Sequence, residues 1–168
     1  MKNENDQPVP AVRIAQNIPL KEIRNELLDN ALYWENLNND RHLQYKVQRE
    51  AKAILLRWAY SREGVREPDE HITIDMPAIS DFPVLSNWLY QFADKMQGEL
   101  SRVSIARLQP GKRVFRHWDK GDYYVHRDRY HLVVNSPHGS DMMCGDQVIR
   151  WFEGELWWFD NKLEHEAK

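Results

Sequence analysis

Within residues 109–134, His117 and Asp119 form a His-x-Asp pair in a segment whose composition suits a β-strand. Side chains at i and i+2 of a strand share a face, so an imidazole and a carboxylate converge there. A third ligand from elsewhere in the chain would complete a two-histidine, one-carboxylate facial triad, and His165 is the candidate. Such a triad leaves adjacent positions on a divalent metal open, as non-heme iron(II) oxygenases need for a chelating cosubstrate and dioxygen. A structural zinc site with four protein ligands would be closed. Asp122 competes as the acid, and Asp119 also reads as a turn residue before Gly121; the i+2 spacing favours Asp119. His126 and His138 fall in predicted loops and read as solvated.

The elements that must position these residues divide the chain in two. Residues 1–16 mix Asn, Asp, Gln and two prolines and read as a flexible lead-in. Residues 17–98 read as mostly helical support. Ile23, Leu27, Leu28, Ala31 and Leu32 predict an amphipathic helix over 19–34; Leu43, Val47, Ala51, Ile54, Leu55 and Trp58 predict a second over 42–60. Ile72, Ile74 and Met76 alternate as a short strand would. Val84, Leu85, Trp88, Leu89, Phe92 and Met96 predict a helix over 82–96, with Ser80 or Asp81 as N-cap and Gly98 as stop. Arg57 reads as a surface or ion-paired arginine rather than a substrate anchor. Residues 99–168 then carry short β-prone segments at 102–108, 114–118, 129–135, 147–151 and 155–159, separated by turn residues. Helices followed by strands argue for an α+β fold, a single domain over 1–168 in which helices buttress a β-sandwich or barrel.

Composition agrees with a single core-forming domain. Of 168 residues 42% are hydrophobic, with seven Trp and seven Tyr. A net charge of −3 and a pI near 6.2 provide no broad basic field, so nucleic acid is not the expected partner. Cys144 is the only cysteine, which excludes an intramolecular disulfide framework and suits a reducing, cytoplasmic setting. Residues 1–10 lack the apolar core of a signal peptide, and there is no apolar run long enough to span a bilayer.

PGKRVFRHWD, RYHLVV and WFEGELWWFDNKLEHEA, in that order and spacing, resemble the aspartyl/asparaginyl β-hydroxylase family. The resemblance covers about residues 102–168 and lies in the combination of motifs, since His-x-Asp alone is common. It implies a double-stranded β-helix (a cupin-like jelly roll) and an Fe(II)- and 2-oxoglutarate-dependent dioxygenase that hydroxylates a free amino acid or an amino-acid side chain in a peptide or protein. By the same resemblance His117, Asp119 and His165 are the catalytic metal ligands, the His-x-Asp form siding with members that resemble free-proline hydroxylases. Arg129 and His131, another i, i+2 pair, would bind a carboxylate of 2-oxoglutarate, a task that suits a bidentate guanidinium. Arg129 also reads as a salt-bridge arginine beside Asp128.

The family's further arginine, which clamps the distal carboxylate of 2-oxoglutarate, would fall beyond Lys168, so either the sequence continues or another cation serves. Two readings compete with the oxygenase: a degenerate cupin-like protein that binds metal or a small acid without turnover, and a cupin-type enzyme that does not use 2-oxoglutarate. Trp157, Trp158 and Phe159 read as core packing, and Asp160 and Asn161 as turn formers.

Overall fold

The computed structural model describes residues 9–35, 46–61 and 71–168. In chain order the elements are β1 (Ala11–Ala15), α1 (Lys21–Asp29), β2 (Ala51–Ser61), β3 (His71–Asp75), α2 (Pro83–Lys95), β4 (Val103–Leu108), β5 (Val114–His117), α3 (Asp122–Val125), β6 (Arg129–Leu132), β7 (Asp141–Cys144), β8 (Gln147–Arg150), β9 (Leu156–Phe159) and β10 (His165–Ala167). The described residues form two compact units: 9–20, 46–51 and 108–168 in the first, and 21–35, 52–61 and 71–107 in the second. The fold is rich in β-sheet, with few helices.

The first unit holds two sheets, ordered β1-β9-β6 and β5-β10-β7-β8. Ala11 and Phe159 of one sheet pack against Met142, Cys144 and Ile149 of the other, with Trp151 and Trp157 at the margin. Alternation along β9 explains the layering: Trp157 and Phe159 belong to this shared core, whereas Trp158 turns away and donates its indole N–H to Asp128 at 2.8 Å. A tight turn leads into β9. Gly154 has φ +79° there, and a Cβ would lie 3.1 Å from the carbonyl oxygen of Ile18, so glycine is required on both counts.

The second unit joins α1, α2 and the sheet β3-β2-β4. Pro83 opens α2, where its missing N–H costs nothing. The N-cap is Phe82, which offers no side-chain acceptor. Ser80 instead bonds the carbonyl of Pro77 and Asp81 accepts the Tyr33 hydroxyl, so neither of the expected caps serves. The carboxylate of Glu26, buried on α1, takes their place by accepting the N–H groups of Val84 at 2.5 Å and Leu85 at 2.9 Å.

Three expectations need correction. The lead-in expected over 1–16 contains β1, which pairs with β9 and buries Ala11, while residues 1–8 lie outside the described residues. The helix expected over 42–60 is, where described, a 3-10 turn at Lys46–Gln48 followed by β2. Ala53, Ile54, Leu56 and Ala59 are all buried, so β2 is covered on both faces and loses the alternation that marks a half-buried strand. Its continuous apolar run then mimics a helical stripe. The described residues of 17–98 are accordingly not mostly helical: β2 and β3 lie between α1 and α2.

Replacing Glu26 with Ala leaves two helix-start donors unpaired and should cost about 1–3 kcal/mol of stability. Urea unfolding of the two proteins measures it, and Glu26→Gln, which keeps one acceptor, should fall between them.

Candidate metal centre

The site grows from the pairing of β5 with β10. In that antiparallel register His165 lies opposite His117, and on its other side β7 places Cys144 opposite His165. Directly opposed residues project to the same face, so the two imidazoles meet with ring centroids 4.3 Å apart. Asp119 lies two residues beyond the end of β5. Its N–H is nevertheless held by the carbonyl of Asn161 at 2.9 Å, which keeps the chain extended enough for its carboxylate to reach the histidines. One ligand atom from each of His117, Asp119 and His165 lies within 4.8 Å of the others.

Each imidazole is oriented the same way. Nδ1 of His117 faces the carbonyl of Phe115 at 2.7 Å, and Nδ1 of His165 faces that of Leu163 at 2.9 Å. A carbonyl accepts only from a protonated nitrogen, so Nδ1 carries the hydrogen and Nε2 presents its lone pair. Both Nε2 atoms are buried and have no hydrogen-bond partner, and that of His117 lies 3.8 Å from Oδ1 of Asp119. Two such atoms converging beside a carboxylate are the arrangement that a bound cation would satisfy.

Charge is arranged to suit a cation. Burial pushes the His165 pKa down to about 4, helped by the nearby Arg129 guanidinium, so its ring is neutral at neutral pH. Burial alone would raise the Asp119 carboxyl, but Arg129 and the Asn161 amide more than offset it and hold the group below its ordinary value. Arg129 donates to Asp119 Oδ2 at 2.6 Å, and Asn161 Nδ2 donates to the same oxygen at 2.9 Å. Oδ1 is left facing the histidines. Two imidazole nitrogens and one carboxylate oxygen, all converging and oriented from behind, fit a divalent transition metal and leave part of its coordination sphere open.

Arg129 and His131 share one face of β6, as expected, against the Phe159 ring of β9. The guanidinium lies 5.4 Å from that ring, the His131 ring 4.8 Å and the His165 ring 5.2 Å. Burial, with Arg129 beside it, pushes the His131 pKa well down. Arg129 pairs with Asp119, not with its sequence neighbour Asp128, which accepts from Trp158. Asp122 is exposed on α3 and stands outside the ligand cluster, and His126 and His138 are exposed. The residue missed by sequence reasoning is Asn161, 1% exposed with a buried Oδ1 that has no partner. Its only sequence signal was its place four residues before His165, between Asp160 and Lys162 in what reads as an ordinary turn.

A facial set of two histidines and one aspartate on a β-sandwich defines a candidate centre for a divalent metal. The aspartyl/asparaginyl beta-hydroxylase family model matches residues 19–168, and the chain belongs to that family. No curated protein matches the chain. Membership supports an enzyme of hydroxylase type, and among the described residues no helix is long and apolar enough to cross a membrane.

Acid should destabilise the metal-free protein. Because the His165 pKa is about 4 when folded and 6.5 ordinarily, the unfolded chain takes up a proton that the folded chain refuses as pH falls through that window. The Asp119 shift adds a loss at lower pH, where the unfolded carboxyl protonates first. Denaturant midpoints measured from pH 7 to pH 4 should therefore decline, with a shallower decline in His165→Gln.

Proposed function

We propose that this chain is an Fe(II)- and 2-oxoglutarate-dependent dioxygenase that hydroxylates a free amino acid or an amino-acid side chain in a peptide or protein. The observation that carries the reading is the pair of buried, unpartnered Nε2 atoms of His117 and His165 converging with Asp119 Oδ1. The two facing sheets of the first unit support the double-stranded β-helix of this reading, which takes residues 1–168 as one oxygenase domain. When bound, iron and 2-oxoglutarate supply the oxidation of an unactivated C–H bond by dioxygen, with carbon dioxide and succinate as the cosubstrate's products.

The protein's own residues prepare that chemistry. His117, Asp119 and His165 would hold the metal and, being three ligands, would leave coordination positions for the cosubstrate. Arg129 spends one nitrogen on Asp119, and its fork geometry has further N–H groups to offer a cosubstrate carboxylate beside His131. The positive charges of a divalent ion and Arg129 balance Asp119 and a dicarboxylate, so the loaded pocket is neutral, which low dielectric surroundings favour. The side chains of His117 and Asp119 are largely shielded from water, at 13% and 6% exposed, while that of Arg129 is 31% exposed.

Anaerobic titration of the metal-free protein with Fe(II) and then 2-oxoglutarate tests the reading through the weak visible charge-transfer band of the chelated cosubstrate. The band should form in the wild type and disappear in His165→Ala and Arg129→Ala, and His117→Ala should abolish 2-oxoglutarate-dependent succinate formation. Iron binding without the band would replace the oxygenase with a binding protein or another cupin chemistry. Full activity in His117→Ala would remove the triad altogether.

A further inference from the structure

Asn161 is almost completely buried, and burying an amide is costly unless its groups are used. Two of them are used on a single partner: the backbone carbonyl accepts the Asp119 N–H at 2.9 Å, and Nδ2 donates to Asp119 Oδ2 at 2.9 Å. The turn that carries it explains the aim. Asp160 Oδ1 accepts the N–H of Lys162 at 3.1 Å and the Asp160 carbonyl accepts that of Leu163 at 3.0 Å, so the chain reverses around Asn161 and directs its side chain inward.

We propose that Asn161 is a positioning residue of the metal centre, gripping Asp119 by backbone and by Oδ2 so that only Oδ1 is presented to a divalent ion. The inference rests on the metal-centre reading above. Oδ2 already accepts from Arg129 at 2.6 Å, and the amide supplies its second donor. With both donors in place the carboxylate binds metal through one oxygen, which preserves the open positions. Residue type matters here. A carboxylate at position 161 would set a second anion against Oδ2, whereas the amide donates without adding charge. The amide orientation is set by the same logic, since Oδ1 of Asn161 turned toward Oδ2 would oppose two acceptors.

Cobalt(II) affinity of the metal-free full chain, measured by equilibrium dialysis in a double-mutant cycle, tests this. Asn161→Ala should weaken cobalt binding on the order of 10- to 100-fold and alter the visible spectrum of the bound ion. In an Asp119→Ala background the same substitution should change affinity by less than about twofold, because its effect passes through Asp119. Asn161→Leu, which retains packing volume without a donor, should lose as much affinity as Asn161→Ala. Equal losses in both backgrounds, wild-type affinity in either single variant, or recovery by Leu would overturn the proposal. Failure of the wild type to bind cobalt would instead overturn the metal-centre reading, and is seen before any variant is compared.

Discussion

The register between β5 and β10 is the constraint on which the site depends. Side chains alternate along a strand, so a slip of one residue would turn His165 from His117 to the opposite face and dissolve the centre. The register is held from both sides, because β10 also pairs with β7 and places Cys144 and Met142 in the shared core. Burial of Cys144, Met142 and Phe159 thus specifies where two polar imidazoles stand. The thiol of Cys144 is itself pushed up to about 11 by burial and bonds the carbonyls of Pro10 and Asp160, so beside the centre it is a packing group.

Around that register the polar groups are mutually dependent. Asp119 can be buried because Arg129 and Asn161 donate to it, and the imidazoles are tied back to the carbonyls of Phe115 and Leu163. Left unpaired beside Asp119 are the Nε2 atoms of His117 and His165 and the side-chain carbonyl of Asn161, while Asp119 Oδ1 has a single long approach, to His117. A centre preorganised in this way costs folding energy in the absence of a cation, which is the usual balance at a functional site.

Much of the first unit was legible in the sequence because its signals are local. The strands at β5, β6, β8 and β9 follow short β-prone runs between turn residues, and the i, i+2 spacing places Arg129 and His131 on one face of β6. Elsewhere local signals misled for identifiable reasons. β2 is covered on both faces and so lacks a period of two; β1 lies in a polar, proline-bearing segment whose pairing partner, β9, is remote in sequence. Glu26 caps α2 from another helix, and no spacing rule relates positions so far apart.

Residue type and order by themselves determined which groups could bind a metal and which arginine could serve a carboxylate, because coordination chemistry and hydrogen-bond valence belong to side chains wherever they sit. Only tertiary structure decided the rest. That Arg129 pairs with Asp119 and not Asp128, and that the turn residue Asn161 points inward, both depend on separate segments brought within 3 Å of one another. Such contacts arise from strand register and the packing of two sheets, properties of the whole chain that leave no periodic trace in any one stretch of it.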